Sequence, residues 1–350
     1  MIFCTLFNSL YLDKGITLYQ SLDKVTPDLK LYVLCMDDKC YEVLSDLTFD
    51  HLVPIRLADM ECEELSSVKE GRSLGEYCWT CTPWLVDYVL SFYREKYCTY
   101  IDADMAFYHD PTVILDEMIK TNASVQVVEH RFNRFETRRS EKKLGKYCVE
   151  FNTFKNDIKG RSLLNLWKYQ CLTKCTIKDK SGRYWGDQKY IHYWTEDFPF
   201  VLSTDHLGVG VAPWNMMMYD FTENKDGIEI QYKGTSNPLI CCHFESMTYI
   251  DENTVNIHAV GNWSRLHDEA IIDLLYKPYL LKIKENQKML LEKYAVSCLI
   301  KYHPEIGKSS LNHKLTYILK LITETCFIPY FFKYKIPNFL YRNRNIITMS

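Results

Sequence analysis

The sequence predicts an α/β fold, with a parallel sheet, crossover helices and a helical extension behind it. Three observations carry that prediction. Short apolar runs alternate with amphipathic helical stretches from the first residue onward, at spacings that suit crossover connections. One of these runs ends abruptly on two aspartates, Asp102 and Asp104, where a buried strand would leave the core. Beyond about Arg265 the short runs give way to long helical segments.

In chain order, Ile2–Phe7 reads as a buried strand and Asp13–Leu22 as a helix. Leu29–Met36 is a second apolar strand, closed by Asp37-Asp38, and His51–Leu57 a third. Thr82-Pro83 has the form of an N-cap followed by proline in the first turn, so a helix is expected to begin there. Leu85, Val86, Val89, Leu90 and Tyr93 then share one face. Tyr97–Ile101 is the strand that runs into Asp102. Asp110-Pro111 starts another helix, ahead of a strand at Ala123–Val128. Residues 129–146 are dense in Arg and Lys and suit either a solvated loop or a flap facing substrate. A strand at Cys148–Phe154 and a helix at Lys159–Cys171 precede a region of short strands and loops, Leu202 to Glu245. The expected domains are a catalytic unit over 1–265 and a helical C-terminal extension over 266–350.

Composition narrows the function classes. A hydrophobic fraction of 47% and a charged fraction of 25% are those of an ordinary globular protein. A net charge of -3 provides no overall field to recruit nucleic acid, so none is expected as partner. The first residues lack a basic region and a long apolar run, and no stretch is long enough for a membrane span. A cytoplasmic location is therefore expected, with the 14 cysteines reduced and mostly buried as small hydrophobes. Cys78 and Cys81 form a CxxC without a second pair, which does not make a structural zinc site.

Asp102-Ala103-Asp104 carries the chemistry. At a strand end the chain turns, and two carboxylates at i and i+2 can then reach one ligand. Hard carboxylate oxygens suit Mg²⁺ or Mn²⁺, ions that also chelate a diphosphate. The plainer alternative is a turn with Asp capping the next segment. His243, at the end of the apolar run Leu239–Cys242, is a candidate imidazole ligand for the same ion, or simply a histidine bonded to backbone. Asp187 and Gln188 follow a glycine turn. They can hydrogen-bond sugar hydroxyls, or Asp187 can merely cap the segment Tyr190–Trp194.

These pieces together resemble the GT-A type of bacterial nucleotide-sugar glycosyltransferase, of the sort encoded with capsule or lipopolysaccharide genes. The matching stretches are Glu76–Pro83, Tyr100–Asp104, Gly186–Tyr190, Val211–Asn215 and His243-Phe244, in family order over residues 1 to about 250. A wider likeness is to the retaining galactosyltransferase and glycogenin-like enzymes. The resemblance implies a Rossmann-like mixed sheet flanked by helices. It also implies Asp102, Asp104 and His243 as ligands of Mn²⁺ (or Mg²⁺), and Asp187 and Gln188 as catalytic, sugar-facing residues. By the same likeness Thr5, Asn8 and Tyr11 would hold the nucleoside, and Arg72 the diphosphate. Relatives often carry Asn and Gly where this chain has Cys148-Val149-Glu150, so Glu150 is a candidate to face the sugar and Cys148–Asn152 the stretch that selects it.

The expected activity is a metal-dependent, hexosyltransferase-like transfer from a nucleotide-diphosphate sugar to a glycan or lipid-linked acceptor, in surface polysaccharide synthesis. Retention is favoured if Gln188 sits beside the anomeric carbon. Inversion would need a carboxylate base, for which Glu150, Asp187 and Glu245 are the candidates. Two rivals are weighed. A sugar-nucleotide pyrophosphorylase should have a Gly-rich phosphate loop after the first strand, but Asn8–Gly15 holds a single glycine. A catalytically inactive membrane-docking scaffold would not need the intact acidic pair. Finally, residues 314–344 interleave Lys314, Lys320, Lys333, Lys335, Arg342 and Arg344 with apolar side chains. That pattern suits a peripheral contact with the inner membrane face, and equally a helical cap on the catalytic domain.

Overall fold

The computed structural model describes residues 1–132, 137–257, 269–298 and 346–349. The basic segment 314–344 lies outside them. No helix among the described residues is long and apolar enough to cross a membrane.

The chain begins β1 (Ile2–Phe7), α1 (Leu12–Val25), β2 (Lys30–Cys35), α2 (Asp38–Leu47), β3 (Leu52–Arg56), two short helices α3 (Leu57–Met60) and α4 (Glu63–Lys69), then α5 (Leu74–Phe92). It continues β4 (Tyr97–Ile101), β5 (Met105–Phe107), α6 (Thr112–Lys120), β6 (Val125–Glu129), α7 (Thr137–Leu144), β7 (Tyr147–Lys155), α8 (Ile158–Thr173), α9 (Trp194–Asp197) and β8 (Val201–Ser203). The remainder is β9 (Asp220–Asn224), β10 (Gly227–Tyr232), β11 (Thr235–Pro238), β12 (Cys241–His243), β13 (Thr248–Tyr249), β14 (Thr254–Asn256), α10 (Lys277–Tyr294) and β15 (Ile346–Thr348).

The main sheet has seven strands in the order β3-β2-β1-β4-β7-β6-β8. β3, β2, β1 and β4 are mutually parallel, whereas β7 runs antiparallel to both of its neighbours. This is the expected mixed sheet flanked by helices, with a C-terminal helix behind it. Strands buried on both faces need apolar side chains in both directions. β1 accordingly sends Phe3 and Phe7 into one core with Leu12 and Ile16 of α1, and Cys4 and Leu6 into the other with Leu85 and Val86 of α5.

Three local expectations change. The helix expected at Thr82 starts nine residues earlier, and Pro83 lies inside it. Ser73 is its N-cap, and Ser73 with Glu76 forms a reciprocal capping box. Within residues 129–146, 137–144 are helical rather than loop. Gln188 and Lys189 donate to the carbonyls of Glu141, Lys142 and Leu144, capping the end of α7. Asp187 precedes a short 3-10 turn but makes no side-chain cap.

Candidate functional site

The acidic pair sits at the carboxyl end of β4, in the middle of the sheet, where parallel α/β sheets carry their ligands. The chain then turns, and β5 leaves the main sheet to pair antiparallel with β12. In that register Met105 faces His243, and the Phe244 amide donates to the Asp104 carbonyl at 2.9 Å. A three-residue pairing thus brings together groups 139 residues apart. His243 Nε2 lies 3.0 Å from an Asp104 oxygen and 3.8 Å from an Asp102 oxygen. The Asp102 side chain is 31% exposed and that of Asp104 16%, so the cluster opens to the surface through its acids.

His243 is held from behind. Its Nδ1 is 2.6 Å from Glu150 Oε2, and that side chain is fully buried. Trp214 packs edge-on against the imidazole, and the His243 amide donates to the Val211 carbonyl at 2.8 Å. The Val211–Asn215 stretch is fastened in turn: Trp214 Nε1 and Asn215 Nδ2 both donate to the His130 carbonyl at 2.8 Å. Burial disfavours a charged His243, but Asp104 beside it wins and raises the imidazole well above its ordinary pKa. Burial would also lift Asp104, yet the imidazolium and Lys14 hold it well below the carboxylate range. Asp102 goes the other way, up to about 6, through burial and the neighbouring acids.

Two oxygens of hard character and one imidazole nitrogen, in a site with surplus negative charge, are a donor set for Mn²⁺ or Mg²⁺. Cys148, Glu150 and His243 also have ligand atoms within 4.8 Å of one another. That trio is wholly buried and would give a diphosphate no access. Its closest contact is better described as a hydrogen bond that orients the ring. Glu150, a candidate to face the sugar or act as a base, is fully buried here with Oε2 engaged by the His243 imidazole.

Asp187 is 4% exposed, and its Oδ2 has no hydrogen-bond partner within the protein. Burial, then the charge of Asp102, push its carboxyl up to about 8. Gly186 delivers it: at φ 56° this residue lies against the indole of Trp79, where an added Cβ would come within 3.3 Å. Trp167 Nε1 fixes the Asp187 carbonyl at 3.0 Å. Gln188 is near in sequence, but its amide donates to Leu144, so it serves α7 as well. Sequence reasoning did not single out Tyr100, whose hydroxyl donates to Asp102 at 3.1 Å. Asn152, at the end of the stretch Cys148–Asn152 expected to select the sugar, lies across from Tyr100 in β7, and its buried amide has neither its oxygen nor its nitrogen partnered.

The nucleoside candidates lie along β1 and just beyond it, beside β4 in the sheet. Thr5 is fully buried with its hydroxyl unpartnered. Asn8 caps the turn Ser9–Tyr11, and Tyr11 is exposed beneath the Lys14 ammonium, 4.1 Å from its ring centroid. Arg72 is not brought to this group. Its guanidinium is taken up by Thr80 and the Leu172 carbonyl, between α5 and α8.

No family model matches the chain. It is 30% identical over 285 residues to YfnD of Bacillus subtilis (strain 168), covering 81% of this chain and 88% of YfnD. It is 32% identical over 297 residues to YfnF of the same strain, covering 82% and 94%. Both are described only as uncharacterized proteins. Among solved structures it is similar to an active-site mutant of LgtC at 11% identity and TM-score 0.49, covering 81% of this chain and 96% of that one. Mouse xyloside xylosyltransferase 1 gives 11% and 0.42, covering 61% and 86%. The glycosyltransferase GlyE of Streptococcus pneumoniae gives 13% and 0.38, covering 59% and 47%.

Proposed function

This chain belongs to one family with YfnD and YfnF of Bacillus subtilis, and for it we propose a glycosyltransferase activity that takes a sugar from a nucleoside diphosphate. The observation that carries the proposal is the meeting of Asp102, Asp104 and His243 at the carboxyl end of β4, with Asp187 near enough to Asp102 for their charges to oppose. In it, Asp102, Asp104 and His243 hold Mn²⁺ or Mg²⁺, which when bound neutralises charge on a departing diphosphate. Thr5, Asn8 and Tyr11 receive the nucleoside at the end of β1. Asp187 and Gln188 position the sugar, and the unpartnered amide of Asn152 joins them as a hydrogen-bonding group. Aligning the donor's anomeric carbon with an acceptor hydroxyl is then the main contribution of the protein. Glu150 is engaged with His243, which removes one of three carboxylates an inverting reaction could have used and favours retention.

The acceptor we propose is a glycan or lipid-linked glycan of surface polysaccharide synthesis, with 1–265 as the catalytic unit and 266–350 as its extension. The pyrophosphorylase reading loses further support: Gly15, the lone glycine of Asn8–Gly15, lies within α1 and packs on Phe7, whose nearest ring atom would stand 2.2 Å from an added Cβ. That glycine serves core packing rather than a phosphate cradle. A thermal-shift screen of nucleotide sugars with Mn²⁺ tests the proposal. A donor that binds raises the melting temperature by mass action, and Asp104→Asn should abolish the shift. No shift with any donor would overturn it.

A further inference from the structure

Glu150 is fully buried within β7, a place where a carboxylate is retained only at a cost in solvation. Its contacts are specific. Oε2 is 2.6 Å from His243 Nδ1, and its main-chain carbonyl accepts from the Asp102 amide at 3.4 Å. The other side-chain oxygen has no partner within the protein. One residue thus touches two of the three proposed metal ligands, the imidazole through its side chain and the turn at Asp102 through its backbone.

The consequence lies in the tautomer. A neutral imidazole carries one N–H, and whichever nitrogen keeps it cannot ligate a cation. Nε2 is the nitrogen that faces Asp104 and Asp102. If the proton stayed there it would bond Asp104 and block the place of the ion. A carboxylate at Nδ1 accepts that proton's hydrogen bond on the far side of the ring and leaves Nε2 with its lone pair forward. Trp214 and Val211 restrain the ring and its backbone but offer Nδ1 no acceptor. Cys148, the remaining neighbour, offers sulfur, a weak acceptor.

We infer that Glu150 is a positioning residue that fixes His243 as an Nε2 ligand for the divalent cation. The inference rests on the metal reading proposed above and adds a residue to it. Outer partners of this kind typically change metal affinity about 10- to 100-fold when removed.

The test is Mn²⁺ affinity of the full chain, read from the signal of free Mn²⁺ by electron paramagnetic resonance, with circular dichroism as a check on folding. Glu150→Leu should weaken binding about 10- to 100-fold, and Glu150→Gln, whose amide oxygen can still accept from Nδ1, should recover most of it. Should the leucine variant fail to fold, Glu150→Asp takes its place, since a side chain one carbon shorter retreats from Nδ1 and should weaken binding several-fold. Wild-type affinity in the leucine or aspartate variant, or a glutamine variant as weak as leucine, overturns the inference. Asp104→Asn, run alongside, separates the two levels. If wild type binds no Mn²⁺, the metal reading falls and this one with it. If wild type binds, Asp104→Asn does not, and the Glu150 variants match wild type, only the role of Glu150 falls.

Discussion

Asp187 combines burial, an unpartnered oxygen and a charged neighbour, so its protonation links folding to pH. Its carboxyl stands near 8 in the folded protein against an ordinary value of 3.8. Between those values the folded chain holds a proton the unfolded chain releases, so this group's contribution to stability falls as pH rises through that window. Asp187→Asn removes the effect. In the presence of a chelator the variant should melt roughly 3–8 °C above wild type at pH 8, with the margin shrinking toward pH 4. A margin constant with pH would contradict the shift, and the same variant should lose donor turnover. At this scale the acids and His243 were legible because their types announce metal chemistry. Glu150 and Asn152 were harder to assign, because a polar residue in a strand acquires meaning only from what the neighbouring strands place beside it.

At the scale of elements, α5 shows where local signals compete. Thr82-Pro83 imitates a helix start, yet the true start is Ser73 with Glu76, a box satisfied in both directions. Thr176 adds a hydrogen bond at 2.6 Å to the same carboxylate, and these bonds hold Glu76 down to about 2 against an ordinary 4.5. The stabilisation from a depressed carboxyl is present above pH 4.5 and is lost as pH falls toward 2. Glu76→Ala should therefore cost about 1–2 kcal/mol at neutral pH and much less near pH 2, measured by denaturant unfolding. Strands β1 and β4 were readable from their length and apolar run. β12 was anticipated as a short apolar strand ending at His243, whereas β5, three residues long, was not, since a pattern that short has no period. The pairing that assembles the site is for that reason the part of the fold that sequence periodicity missed.

At the scale of the whole molecule, α10 is tied by side-chain hydrogen bonds to α1, near the start of the chain. Asn286 of α10 is 4% exposed and donates to Thr17 Oγ1 at 2.9 Å and to Gln20 Oε1 at 3.1 Å. Gln287 donates to Asp13 at 2.7 Å, one residue before Lys14 and just after the loop proposed to hold the nucleoside. The buried face of α10 is mostly apolar, with Tyr279, Leu280, Ile283 and Leu290, and composition could not say that Asn286 would be buried among them. These bonds join α1 to α10 across more than two hundred residues, so α10 braces the helix that follows the first loop. Asn286→Leu would leave Thr17 and Gln20 without their donor in a buried interface. The cost of such unmet groups is about 1–3 kcal/mol, equivalent to a fall in melting temperature of roughly 2–10 °C. Loosening α1 should also shift the loop Asn8–Tyr11, so nucleotide affinity should fall while Mn²⁺ affinity at Asp102, Asp104 and His243 stays near wild type. Titrating each ligand separately into this variant checks the separation: equal losses of both would show a general loss of structure, and no loss of nucleotide affinity would free the loop from α10.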